Sequence, residues 1–407
     1  MTDIVSKRLG DLLNFKRGYD LPSSSRLAGH YPVISSGGIS GFHSQYKVEG
    51  EGLVTGRYGT LGEVYYVNGR YWPHNTSLYV TDFKGNLPKY LFYLLKLLGH
   101  LKTSDKSAVP GINRNDLHEV MVPAVMERRE QIKIASVLSA LDAKIELNQR
   151  INAELEGMAT LLYDYWFVQF DFPMTAAQAT ALGKPKLVGH PYRTSGGRMV
   201  WSQELKREVP EDWRVGNLGE LCDIFDGPHA TPTKTESGPY YLSISSLENG
   251  RLDLTKSARL SEAEFVKWTK RVTPAAGDVL FSYETRLGEA ALMPAEIRAC
   301  LGRRMGILRP KRDQVSPAFL LQSYLSQAFQ GVIRANVIQG ATVERISLNE
   351  LPSFPMLIPA LEQRDAASKI LTPLHEKIAQ NQRQNQELTQ LRDWLLPMLM
   401  NGQVTVG

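Results

Sequence analysis

Only two cysteines, Cys222 and Cys300, occur in 407 residues, and they stand far apart. Two isolated cysteines make neither a CxxC metal site nor a disulfide framework. No apolar run approaches the roughly 20 residues that a helix needs to cross a bilayer. The opening Met1-Thr2-Asp3-Ile4 lacks the basic and apolar regions of a signal peptide. These absences predict a cytoplasmic protein without a membrane segment. Catalytic signatures are missing too. There is no P-loop and no dinucleotide fingerprint. There is no Asn-Pro-Pro-aromatic motif for base methylation and no glycine fingerprint for a methyl donor. His74 and His229 have no cysteine or carboxylate at ligand spacing, so no metal site is expected. Asp142 and Lys144 lie on a helical stretch and read as a salt-bridged surface pair. The expectation is a non-catalytic chain.

What is present fits a globular protein with room for two or three domains. Hydrophobic residues make up 43% and charged residues 22%. The net charge of +5 and the pI near 9.0 permit an acidic partner such as DNA without requiring one.

The strongest signal is an internal repeat. Leu138, Leu141, Lys144, Ile145, Asn148, Gln149, Arg150, Asn152, Glu154 and Leu155 recur, each shifted by 233 positions. The second set is Leu371, Leu374, Lys377, Ile378, Asn381, Gln382, Arg383, Asn385, Glu387 and Leu388. Upstream, the stretches ending at Pro123 and Pro359 match loosely. Each is followed by a Glu-Gln pair, Glu130-Gln131 and Glu362-Gln363. Leu9-Gly10-Asp11-Leu12 is matched by Leu218-Gly219-Glu220-Leu221. A shared frame with divergent interiors implies one scaffold carrying two different binding surfaces.

Between Glu127 and Tyr165 no proline occurs, and Leu138, Leu141, Ile145, Asn148, Asn152, Leu155, Ala159 and Leu162 alternate steps of three and four. That is a coiled-coil seam. The second copy repeats it, with Arg392 breaking the stripe. Asn148, Asn152, Asn381 and Asn385 lie on the seam, where asparagine weakens packing but sets register. Pro373 predicts a short helix near 361–371, then an N-cap at Thr372 and a main helix from 373 to about 396 that Pro397 stops. A pseudo-two-fold duplication would set the two helices antiparallel with the modules at opposite ends. A helix of roughly 38 residues is about 57 Å long at ~1.5 Å per residue. That is about one and a half turns of B-DNA at ~34 Å per turn, the scale of a ruler.

The predicted fold class is α+β. The domains are 1–125, a strand-rich module; 126–173, a central helix; 174–200, an exposed linker; 201–359, the second module; and 360–407, a C-terminal helix. Tyr31–Ser36 reads as a strand entering a loop, and residues 52–67 read as strand, tight loop and strand. Gly277–Tyr283 reads as a strand leading to a loop at 284–288. Pro88–Leu98 and Ser316–Phe329 read as matching helices. The loop tips carry groups that hydrogen-bond base edges and phosphates. In the first module these are Lys16, Arg17, Ser36, Arg57, Tyr58, Thr60, His74 and Asn75. In the second they are His229, Thr231, Thr233, Tyr283, Arg286, Arg303 and Arg304. Trp166, Phe167, Phe170 and Phe172 read as packing between helix and module.

Several phrases resemble one family. They are Ala140-Leu141-Asp142-Ala143-Lys144-Ile145-Glu146-Leu147-Asn148, the helix exit from Tyr165 to Pro173, Leu391 to Gly402, Gly56-Arg57-Tyr58-Gly59, and Val109 to Arg114. The chain is similar over nearly its whole length to the specificity subunits of Type I restriction-modification enzymes. The resemblance implies two target recognition domains, each reading half of a bipartite site in double-stranded DNA. It implies that the helices set the spacer and dock two methylation subunits, with restriction subunits joining them. S-adenosylmethionine, ATP and Mg would then belong to those partners, and none to this chain. Two other readings remain. One is a related restriction system with catalysis arranged differently. The other is a coiled-coil scaffold presenting two protein-binding modules.

Overall fold

The computed structural model describes all residues except 1–3, 58–62, 103–113, 175, 194–198, 204–205, 212, 230, 339–342 and 407. No helix among the described residues is long and apolar enough to cross a membrane. The chain divides into two compact units, residues 1–148 with 383–407, and residues 149–382. Each unit therefore holds one module and a stretch of both long helices.

In the first unit, β1 (Ile4–Arg8) leads into α1 (Leu9–Leu12), β2 (Asn14–Arg17), β3 (Tyr31–Ser35), β4 (Gly38–His43), β5 (Val48–Gly56), β6 (Val64–Pro73) and β7 (Ser77–Asp82). Then come α2 (Pro88–Lys102), α3 (Arg114–Glu119), β8 (Met121–Val125) and the long α4 (Arg128–Tyr163). Strands β2-β7-β5-β6-β3-β4 form one sheet, antiparallel except where β3 runs parallel to β6. Alternating apolar residues such as Leu53, Leu78 and Val80 turn one face inward, where Tyr90, Leu91, Leu94 and Leu98 of α2 cover it. Pro88 starts α2, where its missing N–H costs nothing. Strand β1 pairs with β8, which delivers the chain into α4.

Gln131, almost fully buried in the first turns of α4, ties that helix to the module. Its Oε1 accepts from Leu87 N (2.8 Å), and its Nε2 donates to Val125 O (2.8 Å) and Asn86 Oδ1 (2.7 Å). A buried amide with every bond made is specific; with one partner removed it costs about 1–3 kcal/mol. The Glu-Gln repeat thus marks an anchor.

The second unit follows the same plan with additions. After α4 the chain makes a π-turn at Asp164–Val168, then β9 (Asp171–Pro173), α5 (Ala176–Ala181) and β10 (Pro191–Arg193), which pairs back onto β9. The hairpin β11 (Met199–Ser202) and β12 (Arg207–Pro210) precedes β13 (Arg214–Asn217), α6 (Leu218–Leu221), β14 (Cys222–Asp226) and β15 (Lys234–Tyr241). Next are β16 (Leu247–Glu248), β17 (Arg251–Leu252), β18 (Ala258–Leu260), α7 (Glu262–Trp268), β19 (Val279–Ser282), β20 (Ala290–Leu292), β21 (Ala299–Cys300) and β22 (Met305–Pro310). Finally α8 (Pro317–Leu325), α9 (Gln327–Ala335) and β23 (Pro355–Ile358) lead to α10 (Leu361–Met400). Strands β14-β22-β19-β20 form the central sheet, and β13 pairs with β23 as β1 does with β8. Helix α6 repeats α1. The second glutamine anchor also recurs: Gln363 Oε1 accepts from Trp213 Nε1 at 2.8 Å.

The seam of α4 is as expected. Leu138, Asn148, Asn152 and Ala159 are buried, while Lys144, Glu146, Gln149 and Arg150 are exposed. In the first unit Leu138 shares a core with Leu396, Leu399 and Met400, so the two helices run antiparallel there. In the second, Ala159 shares a core with Ala367 and Leu371, again antiparallel. Arg392 does not break the stripe idly. Its guanidinium meets Asp142 Oδ1 at 2.8 Å, and Tyr93 Oη donates to Asp142 Oδ2 at 2.7 Å. Trp166, Phe167, Phe170 and Phe172 are buried around Trp213, the packing role read for them.

Three expectations need correction. Helix α10 is continuous from Leu361 to Met400, through both Pro373 and Pro397. A proline inside a helix costs about 3 kcal/mol through a lost hydrogen bond and a clash. Burial of Leu371 and Ile378 around Pro373, and of Leu396, Leu399 and Met400 around Pro397, offsets this at about 1.5–3 kcal/mol per side chain. The helix predicted over Ser316–Phe329 is two helices. Ser326 turns extended (ψ 146°), and its hydroxyl caps Phe329 N at 3.3 Å. The linker is exposed over 181–190, but Met174 and Ala179 are buried and β10 returns onto β9.

Two outcomes follow from this packing. Pro373 is exposed, so Pro373→Ala restores the helical N–H without losing contacts. We expect chemical denaturation to show the variant more stable by about 1–3 kcal/mol; a destabilised variant would contradict the strained-helix account. His375, part-buried with its Nε2 3.2 Å from Gln322 Nε2, is driven by burial from 6.5 down to about 4. Its folded pKa lies below the unfolded one. Its stability contribution is therefore present above pH 6.5 and is lost as pH falls toward 4, by up to about 3 kcal/mol. Urea midpoints at pH 7 and pH 4.5 should differ less in His375→Gln than in the parent; equal differences would remove His375 as the source.

Candidate nucleic-acid interface

Corresponding strands bring the polar loop residues to the same end of both sheets. In the first unit that end comprises the last residue of β2, the ends of β3 and β5, and the turn from β6 to β7. In the second it comprises the end of β14, the end of β19 and the start of β22. The registers agree: Arg17 lies opposite Leu78 and Gly56 opposite Ser77, as Asp226 lies opposite Gly306 and Ser282 opposite Met305.

In the first unit hydrogen bonds tie the described candidates other than Lys16 into two adjoining groups. Arg17 Nε donates to Asn75 O (3.3 Å), and Asn75 Nδ2 donates to Asp20 Oδ1 (2.5 Å). His74 Nδ1 lies 3.0 Å from Thr76 Oγ1, which accepts from Ser36 N at 3.3 Å. Arg57 N donates to Thr76 O at 3.0 Å. Arg17 and Lys16 are exposed, and Lys16 Nζ lies 5.6 Å from the centre of the Tyr19 ring. These bonds hold five loop residues in place. Tyr58 and Thr60 lie outside the described residues. Thr76 belongs to the loop tip His74-Asn75-Thr76 already read from the sequence; Asp20, which accepts from Asn75, and Tyr19 beside Lys16 were not singled out, because an acidic or uncharged loop residue carries no local signal.

In the second unit a cleft of about 480 Å³ gathers His229, Tyr283, Arg303 and Arg304 with Glu284, Arg345 and Asn349. Three backbone segments are laced beneath it. Tyr283 N donates to Arg304 O (3.2 Å), Ile346 N to Tyr283 O (3.1 Å) and Thr285 N to Glu344 O (2.9 Å). Thr285 (φ 72°) and Arg304 (φ 74°) are held in the left-handed region, a strain of order 1–3 kcal/mol each that surrounding bonds must sustain. Arg304 is held in place by Glu284 (3.3 Å) and Thr285 Oγ1 (3.1 Å).

Two candidates change role here. Tyr283 is only 8% exposed, on the wall of the cleft, and its hydroxyl is turned to Asp226. Burial and the nearby Asp226 carboxylate push its phenol well above the usual range. It stays a donor, giving its proton to Asp226 Oδ1 at 3.0 Å. Asp226 in turn holds the exposed His229 through Nε2 at 2.8 Å, so His229 does meet a carboxylate three residues upstream. Tyr283 and Asp226 orient His229. Arg286 is committed to Glu289 (3.1 Å) and Ile244 O (3.3 Å), because its loop folds back on itself. Thr231 and Thr233 are exposed before β15, where Thr233 N donates to Glu264 Oε2 at 3.3 Å. Beside His229, a second hollow of about 260 Å³ is lined by Lys267, Trp268, Lys270 and Arg271. Arg345, Asn349, Lys270 and Arg271 went unremarked in sequence because only folding brings them to this end. Among the described residues no cluster of histidine, cysteine, aspartate and glutamate could hold a metal.

The seam asparagines are buried or half-buried and paired. Asn148 Nδ2 donates to Gln384 Oε1 (2.8 Å) and Asn385 Oδ1 (2.9 Å). Asn381 Nδ2 donates to Asn152 Oδ1 (2.8 Å), and Asn152 Nδ2 to Ile378 O (3.3 Å). The shift of 233 carries Asn148 to Asn381 and Asn152 to Asn385, so the two pairs are one pairing made twice.

Comparison with known proteins agrees with this duplicated plan. The family model described as the Type I restriction modification DNA specificity domain matches residues 1–157 and 210–390. The Type I restriction enzyme MjaIX specificity subunit of Methanocaldococcus jannaschii is 24% identical over 338 residues, 79% of this chain and 70% of the relative. The HindI specificity subunit of Haemophilus influenzae is 23% identical over 363 residues, 78% of each. The fold resembles the crystal structure of the Type-I restriction-modification system S subunit from M. genitalium, with a TM-score of 0.59 at 16% identity, over 98% of this chain and 96% of that one. With the domain found twice across most of its length, this chain belongs to the Type I restriction-modification DNA specificity family and is a specificity subunit of that class.

Proposed function

We propose that the chain reads a bipartite site in double-stranded DNA, one half with each module, and performs no chemistry itself. Residues 1–125 and 201–359 are the two target recognition domains, 174–200 links them, and the helical regions 126–173 and 360–407 set the spacer. Two methylation subunits dock on the helices, and restriction subunits complete a cytoplasmic complex. S-adenosylmethionine, ATP and Mg serve those partners.

The observation that carries this reading is the shared sheet end. Two modules of one plan present different polar sets there, Lys16, Arg17, Ser36, Arg57, His74 and Asn75 in one, and His229, Arg303 and Arg304 in the other, with Thr231 and Thr233 exposed on the segment that follows His229. One frame with two different surfaces is what reading two different half-sites requires. Arginine, histidine and asparagine side chains supply donors and acceptors that phosphates and base edges match, the phosphate contacts seating the duplex and the base contacts reading it. Asn148, Asn152, Asn381 and Asn385 fix the register of the helices, so that the gap is constant: a slip would separate amides that are buried.

The test is a modified-base map of the host genome with and without the gene. We expect a methylated-adenine motif in two halves around a fixed gap, lost on deletion. An intact system without such a motif would overturn the reading. Inserting one heptad between Ile145 and Asn148 should lengthen the gap and leave both halves of the motif as they were. An unchanged gap would remove the helices from spacer control.

A further inference from the structure

The arginines around the second unit's sheet end fall into two groups. Arg286 is paired with Glu289, Arg304 with Glu284, and Arg271 lies 3.7 Å from Asp226. Their charge is answered within the protein. Arg303 and Arg345 differ. Both are exposed, both line the same cleft, and neither guanidinium has a hydrogen-bond or ion-pair partner among the described residues. Glu284, the one carboxylate among the described lining residues, is already taken by Arg304. Three arginines and one glutamate leave the described lining with a net charge of +2.

Shape then bears on what the free pair meets. Side chains that read base edges project into a groove from a convex element. A concave hollow of about 480 Å³ receives a convex object instead, and on a duplex the convex object is the sugar-phosphate ridge. The floor is rigid, because the segments bearing Arg303 and Arg345 are both bonded to the Tyr283 strand end: Tyr283 N to Arg304 O, and Ile346 N to Tyr283 O. Ser347 and Asn349 on the rim add neutral groups able to bond phosphate oxygens.

We propose that Arg303 and Arg345 form a phosphate clamp that seats one DNA strand in this cleft and fixes the register of the second half-site without reading its bases. The inference rests on the DNA-binding function proposed above and adds Arg345 to it. His229, which lines the same cleft and is held by Asp226, is not part of the clamp.

The experiment uses the full-length chain in the complex with which it co-purifies. The probe is a duplex carrying the mapped motif, and affinity is followed from about 50 to 200 mM salt. Each of Arg303→Ala and Arg345→Ala should make the log–log salt slope shallower by about one, and the double variant by about two. The methylated motif should keep its sequence, and Arg303→Lys with Arg345→Lys should restore the slope, since a point charge suffices for phosphate. Relaxed specificity at one motif position with no rescue by lysine would overturn the clamp and make these residues base readers. An unchanged slope in the double variant would remove them from the interface altogether. Since both side chains are exposed, the variants should melt with the parent; a lowered melting temperature would instead assign them a structural role and overturn the clamp. A wild-type complex without salt-sensitive affinity would remove the DNA-reading function itself, and that result is read from the unmutated arm alone.

Discussion

Neither module closes its core without a helix segment from the other end of its unit's sequence. Leu138 of the first repeat packs with Leu396, Leu399 and Met400, and Ala159 packs with Ala367 and Leu371. This mutual burial is the constraint on which the rest depends. It keeps α10 helical through Pro373 and Pro397. It brings Arg392 to Asp142, and it places the asparagines opposite one another. Hydrophobic burial supplies the energy, and the buried amides select one alignment, since a slipped helix pair would strand polar groups in an apolar seam.

The glutamine anchors extend that constraint from helix to module. Gln131 satisfies three backbone and side-chain groups of the first module, and Gln363 accepts from Trp213 in the second. A module fastened at the root of its helix presents its far loops at a defined place. Such rigidity suits a DNA specificity subunit, which must hold its side chains in place against the DNA. The strained Thr285 and Arg304 backbones fit the same logic: irregular conformations persist at the cleft because the three laced segments leave no alternative.

Charge is distributed with equal economy. Most arginines near the second unit's sheet end are neutralised by a carboxylate within the same loop or its neighbour, and so shape the surface more than they bind. Residue type alone therefore overstates how many side chains are free to meet DNA. Arg286 and Tyr283 look like contacts in the sequence and act as supports in the fold, whereas Arg345 carries no sequence signal and ends in the cleft.

By itself the sequence determined whatever repeats or alternates: the duplication, the 3–4 seam with its four asparagines, the α+β class, the matching turns that became α1 and α6, and the Glu-Gln pairs. Such features are local or periodic, and their physical causes act over a few residues. The family was equally legible, because its phrases are those of the helices and helix exits. Only tertiary structure decided whether a proline ends a helix, because the answer depends on burial contributed by distant leucines. It alone split Ser316–Phe329 at Ser326, ordered part of the 174–200 segment, and separated free arginines from paired ones. Those outcomes turn on contacts that only folding makes, from Leu138 against Leu396 to Glu284 against Arg304 on a neighbouring strand end, and no pattern along the chain encodes which of two arginines finds its glutamate.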